Sequence, residues 1–157
     1  MSDTTTERVG LISDTHGLLR PEALSALSGC DRIIHAGDVG EEDILAQLGA
    51  IAPVHVVRGN VDVEPWTRAF PQTEVVEMAG ASVYVIHDLD RLDLDPAASG
   101  FDAVIYGHSH RPVIEEQGGV LYINPGSAGP RRFTLPISLA WMTVEDGRIS
   151  AELVRLG

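Results

Sequence analysis

The stretch Val-Gly-Leu-Ile-Ser-Asp-Thr-His-Gly, residues 9–17, begins as an apolar run and ends in a polar cluster. Residues 9–12 have the composition of a buried β-strand, and Asp14 and His16 follow directly after it. Polar side chains that follow the buried strands of a sheet come together at one edge of that sheet. The stretch therefore predicts a sheet with a polar site at its edge.

The same arrangement recurs five more times. Apolar runs at residues 32–34, 54–57, 83–86, 103–106 and 120–123 are each followed by a polar cluster. These clusters are Gly37-Asp38, Gly59-Asn60, His87-Asp88, Gly107-His108-Ser109-His110 and Asn124-Pro125-Gly126-Ser127. Five of the six clusters supply candidate metal ligands, namely Asp14, His16, Asp38, Asn60, His87, His108 and His110. The cluster at Asn124 has the same position but offers no obvious ligand.

The order of the predicted elements indicates an α/β protein. Strands alternate with helices in the first half, where helices are expected over residues 21–27 and 41–48. The second half contains two predicted hairpins, one over residues 74–86 and one over residues 137–154, where Asp-Gly marks the turn. We therefore expect two facing sheets with helices outside.

Composition limits the class of protein further. At 157 residues the chain is expected to form a single domain over residues 1–157, with residues 1–7 a flexible tail. It has a net charge of −12 and no lysine, which argues against an extended nucleic-acid surface. No apolar run is long enough to span a membrane, and no secretory signal is visible. These features and the single Cys30 predict a cytoplasmic location.

The ligand types favour a transition-metal centre. Asp, Asn and His without a thiolate suit Mn, Fe, Zn, Ni or Co better than Ca or Mg. Seven ligands exceed what one ion needs and are enough for two ions that share a carboxylate. Each cluster alone also has a structural interpretation, since Asp commonly caps turns. His35 and His55 are expected to be structural, because one lies on a buried strand and the other lies within a strand.

The motifs, in their order, resemble the calcineurin-like metallophosphoesterases, and most closely their small YfcE-type phosphodiesterase branch. The resemblance covers residues 9–153 and rests on Ser-Asp-Thr-His-Gly, His-Ala-Gly-Asp-Val, Arg-Gly-Asn-x-Asp, Gly-His-Ser-His and Asn-Pro-Gly-Ser. It implies a four-layer α/β/β/α sandwich of two mixed β-sheets flanked by helices. It also implies a dinuclear centre, most commonly with Mn²⁺ and alternatively with Fe, Ni, Co or Zn.

The resemblance assigns a role to each ligand. One ion would be bound by Asp14, His16 and His110, the other by Asn60, His87 and His108, with Asp38 bridging them. A hydroxide that bridges the two ions would attack the phosphorus in line, so Asp38 and Asn60 are the predicted catalytic residues. Asn60 would also hold a phosphate oxygen. Arg131 and Arg132 would either clamp the phosphate or be solvated at the surface, and Arg131 is the predicted substrate-binding residue.

Two positions depart from the wider superfamily. Val61 stands where many members have a histidine that can protonate the leaving group, although the YfcE-type branch also lacks that histidine. Asp88 follows His87 where glycine is common, which adds negative charge near the mouth of the site. An activated leaving group would therefore be favoured, and Asp88 would either help to anchor the ligands or narrow the choice of anionic substrates.

The resulting prediction is a metal-dependent phosphodiesterase that hydrolyses a small or activated phosphodiester. Two alternatives stay open: a non-catalytic protein-interaction scaffold on the same fold, as in the retromer subunit of eukaryotes, and a phosphomonoesterase. Retention of all seven ligands favours an enzyme over a scaffold. Exposed strand edges, together with Trp66 and Trp141, would allow a homo-oligomer.

Overall fold

A computed structural model describes residues 6–156 of the chain. In chain order the elements are β1 (Thr6–Ile12), α1 (Pro21–Ala26), β2 (Arg32–His35), α2 (Glu42–Gly49), β3 (Val54–Val56), a 3-10 helix (Pro65–Ala69), β4 (Thr73–Met78), β5 (Ala81–Ile86), a second 3-10 helix (Leu89–Arg91), β6 (Ala103–Ile105), β7 (Val113–Gln117), β8 (Val120–Asn124), β9 (Ser138–Glu145) and β10 (Arg148–Arg155).

The strands form two five-stranded mixed sheets. The first sheet has the order β10-β9-β1-β2-β3. In it β1, β2 and β3 are parallel, β9 is antiparallel to β1, and β10 is antiparallel to β9. The second sheet has the order β4-β5-β6-β8-β7, in which β5, β6 and β8 are parallel and β4 and β7 are antiparallel. Each sheet therefore has a parallel centre, and the carboxyl ends of these central strands carry the predicted ligands.

One apolar layer is shared by the two sheets. Alternate residues of the strands point into it, including Leu11 of β1, Val83 of β5 and Met142 of β9, all of which are fully buried. Burial of such side chains stabilises the fold by about 1.5–3 kcal/mol each. Because the layer draws on both sheets, it fixes the sheets against one another and so fixes the relative positions of the loops at their ends.

The two α-helices cover the outer face of the first sheet. Leu27, just after α1, and Leu48 of α2 pack there with Ile33 and Leu139. Both helices have acidic residues in the first turn, which suits the positive end of the helix dipole. Trp141 also serves this face: its indole N–H donates to the Ala26 carbonyl at 2.9 Å.

The outer face of the second sheet has a thinner cover. Tyr84 and Val104 are packed there by residues of the segment 89–101, and the rings of Tyr84 and Phe101 lie 5.0 Å apart. The segment contains a 3-10 turn in place of an α-helix, because Asp88 and Asp95 bind the amides that follow them and so favour turns.

The predicted fold is confirmed, with three differences in detail. The structure contains β7, which the sequence did not predict, and the fourth layer has no α-helix within residues 6–156. The prediction of a flexible tail over residues 1–7 was wrong for its last two residues, because Thr6 and Glu7 belong to β1 and pair with Glu145 and Val144 of β9. Residues 1–5 of that tail lie outside the described residues. No helix in the described part of the chain has the length and apolarity needed to cross a membrane.

Candidate metal centre

Three of the predicted ligands form a first triad: Asp14, His16 and His110. Asp14 and His16 follow β1, and His110 follows β6 across the interface between the sheets. The Asp14 Oδ1 atom lies 3.5 Å from His16 Nε2 and 3.5 Å from His110 Nε2. One potential ligand atom from each residue lies within 4.8 Å of the others, so a single ion can contact all three.

Three more form a second triad: Asp38, His87 and His108. They follow β2, β5 and β6 respectively, and their potential ligand atoms also lie within 4.8 Å of one another. His87 Nε2 approaches Asp38 Oδ2 to 3.1 Å, and the rings of His87 and His108 lie 5.3 Å apart. His108 is exposed, whereas Asp38 and His87 are buried, so this triad opens toward solvent on one side.

The Asp38 carboxylate lies between the triads. Its Oδ2 atom is 3.5 Å from His16 Nε2 in the first triad and 3.1 Å from His87 Nε2 in the second. Its other oxygen, Oδ1, accepts a hydrogen bond from the Val61 amide at 2.9 Å. Asp38 is therefore placed where one carboxylate can serve two ions.

Several buried atoms of the triads have no hydrogen-bond partner among the described residues. They are Asp14 Oδ1, His16 Nε2, His87 Nε2 and His110 Nδ1. An unsatisfied buried polar atom costs about 1–3 kcal/mol, and such atoms are rare in folded proteins. Carboxylate oxygens and imidazole nitrogens that converge without partners have the chemistry of a ligand set, so the residues present fit divalent metal ions.

A hydrogen bond through one nitrogen orients the His87 ring so that its other nitrogen can bind a metal. Its Nδ1 lies 2.7 Å from the Ala36 carbonyl oxygen, which can only accept, so Nδ1 carries the proton and Nε2 presents a lone pair to the site. Gly37 makes this contact possible, because a Cβ at Gly37 would lie 2.7 Å from His87 Nδ1. The missing side chain of Gly37 thus makes room for the imidazole of His87.

The local electrostatics favour an ionised Asp38. Burial opposes ionisation, but contact with His87 and the hydrogen bond from the Val61 amide hold the pKa of Asp38 well below its usual range. Burial lowers the pKa of His87, yet the neighbouring carboxylates Asp38 and Asp14 raise it by more. Contact with Asp14 raises the pKa of His16, whereas burial lowers the pKa of His110. The two carboxylates thus give the centre a negative character that suits cations.

The backbone of the ligand loops is strained. Five of the six triad residues have a positive φ, a conformation that costs non-glycine residues about 1–3 kcal/mol each. They are Asp14 (55°), His16 (45°), Asp38 (60°), His108 (73°) and His110 (63°). Such strain persists only where surrounding contacts hold it, and four residues, Asp62, Asn124, Ser127 and His35, provide such contacts.

Asp62 holds the loop that carries Asp38. Its buried carboxylate accepts from the amides of Asp38 (2.9 Å), Val39 (3.0 Å) and Gly59 (2.8 Å). It therefore joins the loop after β2 to the loop after β3. Asp62 belongs to the Arg-Gly-Asn-x-Asp motif that carried the resemblance, but its supporting role was not predicted from the sequence.

The cluster without ligands, Asn124 to Ser127, holds the loops of the first triad. The Asn124 side-chain amide donates to the Gly107 carbonyl and to Ser109 Oγ, both at 3.1 Å. The Ser127 hydroxyl donates to the Asp14 carbonyl at 3.0 Å. This cluster therefore supports ligands that come from both sheets. Gly107 allows the close approach, since a Cβ there would lie 2.8 Å from Asp14 Oδ2.

His35 joins the loops after β1 and β2, as a structural residue. The Thr15 hydroxyl donates to the Val39 carbonyl at 2.8 Å, so it accepts from His35 Nε2–H at 3.1 Å. The Gly37 amide donates to His35 Nδ1 at 3.1 Å. Both ring nitrogens are satisfied in the neutral form, and complete burial lowers the pKa of His35 to about 4.

The remaining predicted residues lie around the centre. Asn60 is exposed on the wall of a cavity beside His87, and its side chain forms no hydrogen bond with the described residues. Arg131 and Arg132 are both exposed, and the charge of Arg132 acts to lower the pKa of His16 and His110. Asp88 Oδ2 lies 4.0 Å from His108 Nε2.

Two sheets packed face to face, with acidic and imidazole side chains at the carboxyl ends of their strands, define an α/β sandwich with a candidate metal centre. The chain belongs to the calcineurin-like phosphoesterase superfamily, whose domain model matches residues 8–147. The resemblance inferred from the motifs is thereby confirmed, and the family is metal-dependent.

Comparison with individual proteins agrees with this family. The chain is 34% identical to a probable metallophosphoesterase of Methanothermobacter thermautotrophicus, over 95% of this chain and 92% of that protein. It is 29% identical to phosphodiesterase YfcE of Escherichia coli K12, over 73% of this chain and 76% of YfcE. Vps29 of Cryptosporidium parvum shares the fold, with a TM-score of 0.77, 20% identity and coverage of 96% of this chain and 98% of that one.

Asn124→Asp should weaken metal binding without unfolding the protein. A carboxylate at this position can still accept from the Gly126 amide, as Asn124 Oδ1 does, but it cannot donate to Gly107 or Ser109. Loss of such supporting contacts typically costs tenfold to a hundredfold in metal affinity. Calorimetric titration with Mn²⁺ measures the change, and circular dichroism checks the fold. An unchanged affinity in the folded variant would show that Asn124 does not support the ligands.

Acid should destabilise the metal-free protein partly through His35. The unfolded imidazole takes up a proton near pH 6.5, whereas the folded one does so only near pH 4. Stability is therefore full above pH 6.5 and falls as the pH drops toward 4, by up to about 3 kcal/mol. Urea unfolding between pH 7 and 4 should show a shallower pH dependence for His35→Gln than for the wild type. His55→Gln, at a half-exposed histidine, is the matched control, and an equally shallow dependence in both variants would contradict the assignment.

Proposed function

We propose that this protein is a metal-dependent phosphodiesterase with a dinuclear centre. The observation that carries the proposal is the meeting of the two triads at Asp38, together with buried polar atoms in both triads that have no hydrogen-bond partner among the described residues. The names of the relatives, a probable metallophosphoesterase and the phosphodiesterase YfcE, support the same reaction class.

The first triad would hold one ion and the second triad, with Asn60, the other, while Asp38 serves both. Borderline metals such as Mn²⁺, Fe, Ni, Co or Zn suit this mixture of carboxylate, amide and imidazole. When bound, such a pair of ions supplies a hydroxide nucleophile at neutral pH and neutralises charge on the phosphate. The chain contributes the fixed positions of its ligands, because Asp62, Asn124 and His35 hold the loops before substrate arrives.

Residues outside the triads would position the phosphate. The Asn60 amide is free to donate to a phosphate oxygen from the cavity wall. Arg131 is a candidate from its sequence position, and Arg132 is the stronger one because its charge influences His16 and His110. A guanidinium matches the geometry of phosphate and is attracted to its charge.

Position 61 of this site offers no side chain that can protonate the leaving group. Val61 is 46% exposed beside Asn60 and cannot donate a side-chain proton, while its amide is committed to Asp38. Turnover should therefore depend on the leaving group, with activated diesters such as nitrophenyl esters hydrolysed faster than alkyl diesters.

Two observations favour a diesterase over the alternatives. The cavity beside the second triad leaves room for a second substituent on the phosphorus, which a phosphomonoester does not need. A protein-interaction scaffold would not require six convergent ligands, five of them in strained backbone conformations that dedicated hydrogen bonds support. The shared fold with Vps29 keeps the scaffold as the outcome to be tested against.

Asp38→Ala should abolish hydrolysis of bis(p-nitrophenyl) phosphate, by at least about a thousandfold, because it removes the carboxylate shared by the two triads. The measurement is the Mn²⁺-dependent rate after the metal has been stripped and restored. Asp43→Ala, which changes an exposed aspartate in the first turn of α2, is the matched control and should keep the wild-type rate. Absence of Mn²⁺-, Zn²⁺-, Ni²⁺-, Co²⁺- or Fe²⁺-dependent hydrolysis in the wild type would contradict the enzymatic function and favour the scaffold.

A further inference from the structure

A cavity of about 700 Å³ lies beside the second triad, between the loop after β3 and the segment after β5. Asn60 and His87 belong to its lining, so the cavity adjoins the candidate metal centre. Its volume lies within the range of sites that hold whole small molecules and exceeds what one phosphate group requires. The cavity is therefore placed to receive a substituent of the phosphate rather than the phosphate alone.

The cavity lining is rich in arginine. The whole chain has 11 basic residues, all of them arginine, against a net charge of −12, yet three of the 11 line this cavity: Arg58, Arg68 and Arg91. Some arginines elsewhere are engaged: Arg32 pairs with Glu7, and Arg8 lies over the ring of Trp141. Arg58 and Arg68 form no ion pair with the described residues. The cavity thus concentrates unpaired positive charge in an acidic protein.

Most of the acids in the same lining are committed to other partners. Asp62 accepts hydrogen bonds from three backbone amides. Asp88 accepts from the Asp90 amide through Oδ1, and its Oδ2 lies 4.0 Å from Arg91 Nε and 4.0 Å from His108 Nε2. Asp93 is the remaining acid on the cavity wall. Arg58 and Arg68 are consequently left to interact with a ligand.

An anionic ligand group explains this arrangement. Guanidinium groups bind phosphate through paired hydrogen bonds, and unpaired arginines near a cavity are typical of phosphate recognition. A neutral substituent would gain little from them. Thr67, Gln72 and Thr73 add polar atoms to the same wall, and Tyr84 and Ile86 add an apolar surface on which a ring can pack.

From these observations we infer that the cavity binds the arm of a phosphodiester that carries a second phosphate group, with Arg58 and Arg68 as the residues that hold it. The inference rests on the proposed diesterase function and narrows its substrate class. It predicts that the protein prefers, as substrates, short diesters with an additional terminal phosphate, such as phosphorylated dinucleotides, over diesters whose substituents are uncharged. Long polyanions are disfavoured by the net charge of −12.

The first test compares an unphosphorylated thymidine dinucleotide with two forms of it that carry a terminal phosphate, one at the 5′ end and one at the 3′ end. The wild type with Mn²⁺ should show a kcat/KM at least tenfold higher for one of the phosphorylated forms. In Arg58→Gln and Arg68→Gln this ratio should fall toward one, while the rate on the unphosphorylated dinucleotide changes by no more than about threefold. Arg155→Gln, an exposed arginine of β10, is the matched control and should keep the wild-type ratio.

The second test measures binding without turnover. Calorimetric titration of the Mn²⁺-loaded protein with thymidine 3′,5′-bisphosphate should show at least tenfold tighter binding than with thymidine 5′-monophosphate, and Arg58→Gln should remove the difference. Equal affinities in the wild type, or a preference that survives both arginine substitutions, would overturn the inference. If the wild type hydrolyses bis(p-nitrophenyl) phosphate but shows no preference for dinucleotides with the second phosphate, the inference is overturned while the diesterase function is supported. Loss of all diester hydrolysis would instead count against that function.

Discussion

The position of the Asp38 carboxylate between two sets of imidazoles is the constraint on which the rest of the site depends. One oxygen faces both His16 and His87, and the other is fixed by the Val61 amide. Asp14 and Asp38 are almost fully buried, and burial of charge without compensation is costly. Cations bound between the triads would neutralise these carboxylates and coordinate the imidazole nitrogens that have no hydrogen-bond partner among the described residues. Because such cations bind only the folded chain, they should also stabilise it.

The supporting contacts explain how a small domain holds that arrangement. The ligands come from loops of both sheets, and the shared apolar layer sets the distance between those sheets. Within the site, Asp62 fixes the loop of Asp38, the Asn124–Ser127 cluster fixes the loops of the first triad, and His35 joins the loops after β1 and β2. Most of these bonds run from side chains to backbone groups, so they can stabilise the positive φ angles that bring the ligands together.

Sequence patterns predicted the parts of the molecule that depend on local chemistry. Apolar runs that end in Asp or His predicted the central strands and the candidate ligands, because position after a buried strand determines which edge a side chain occupies. The contributions of Asp62 and Asn124 were not predictable, since their partners are backbone amides and carbonyls brought near only by the fold. Strand β7 was missed although Gly118-Gly119 marks a tight turn before β8. Arg132 likewise became the stronger phosphate candidate only once its charge was found to influence His16 and His110.

The chain is proposed to hold two metal ions that share Asp38, and anomalous diffraction from crystals grown with Mn²⁺ tests this most directly. Two peaks are expected about 3.5–4 Å apart, one against Asp14, His16 and His110 and one against His87 and His108, with Asp38 between them. A single peak, or two peaks of which Asp38 contacts only one, would contradict it.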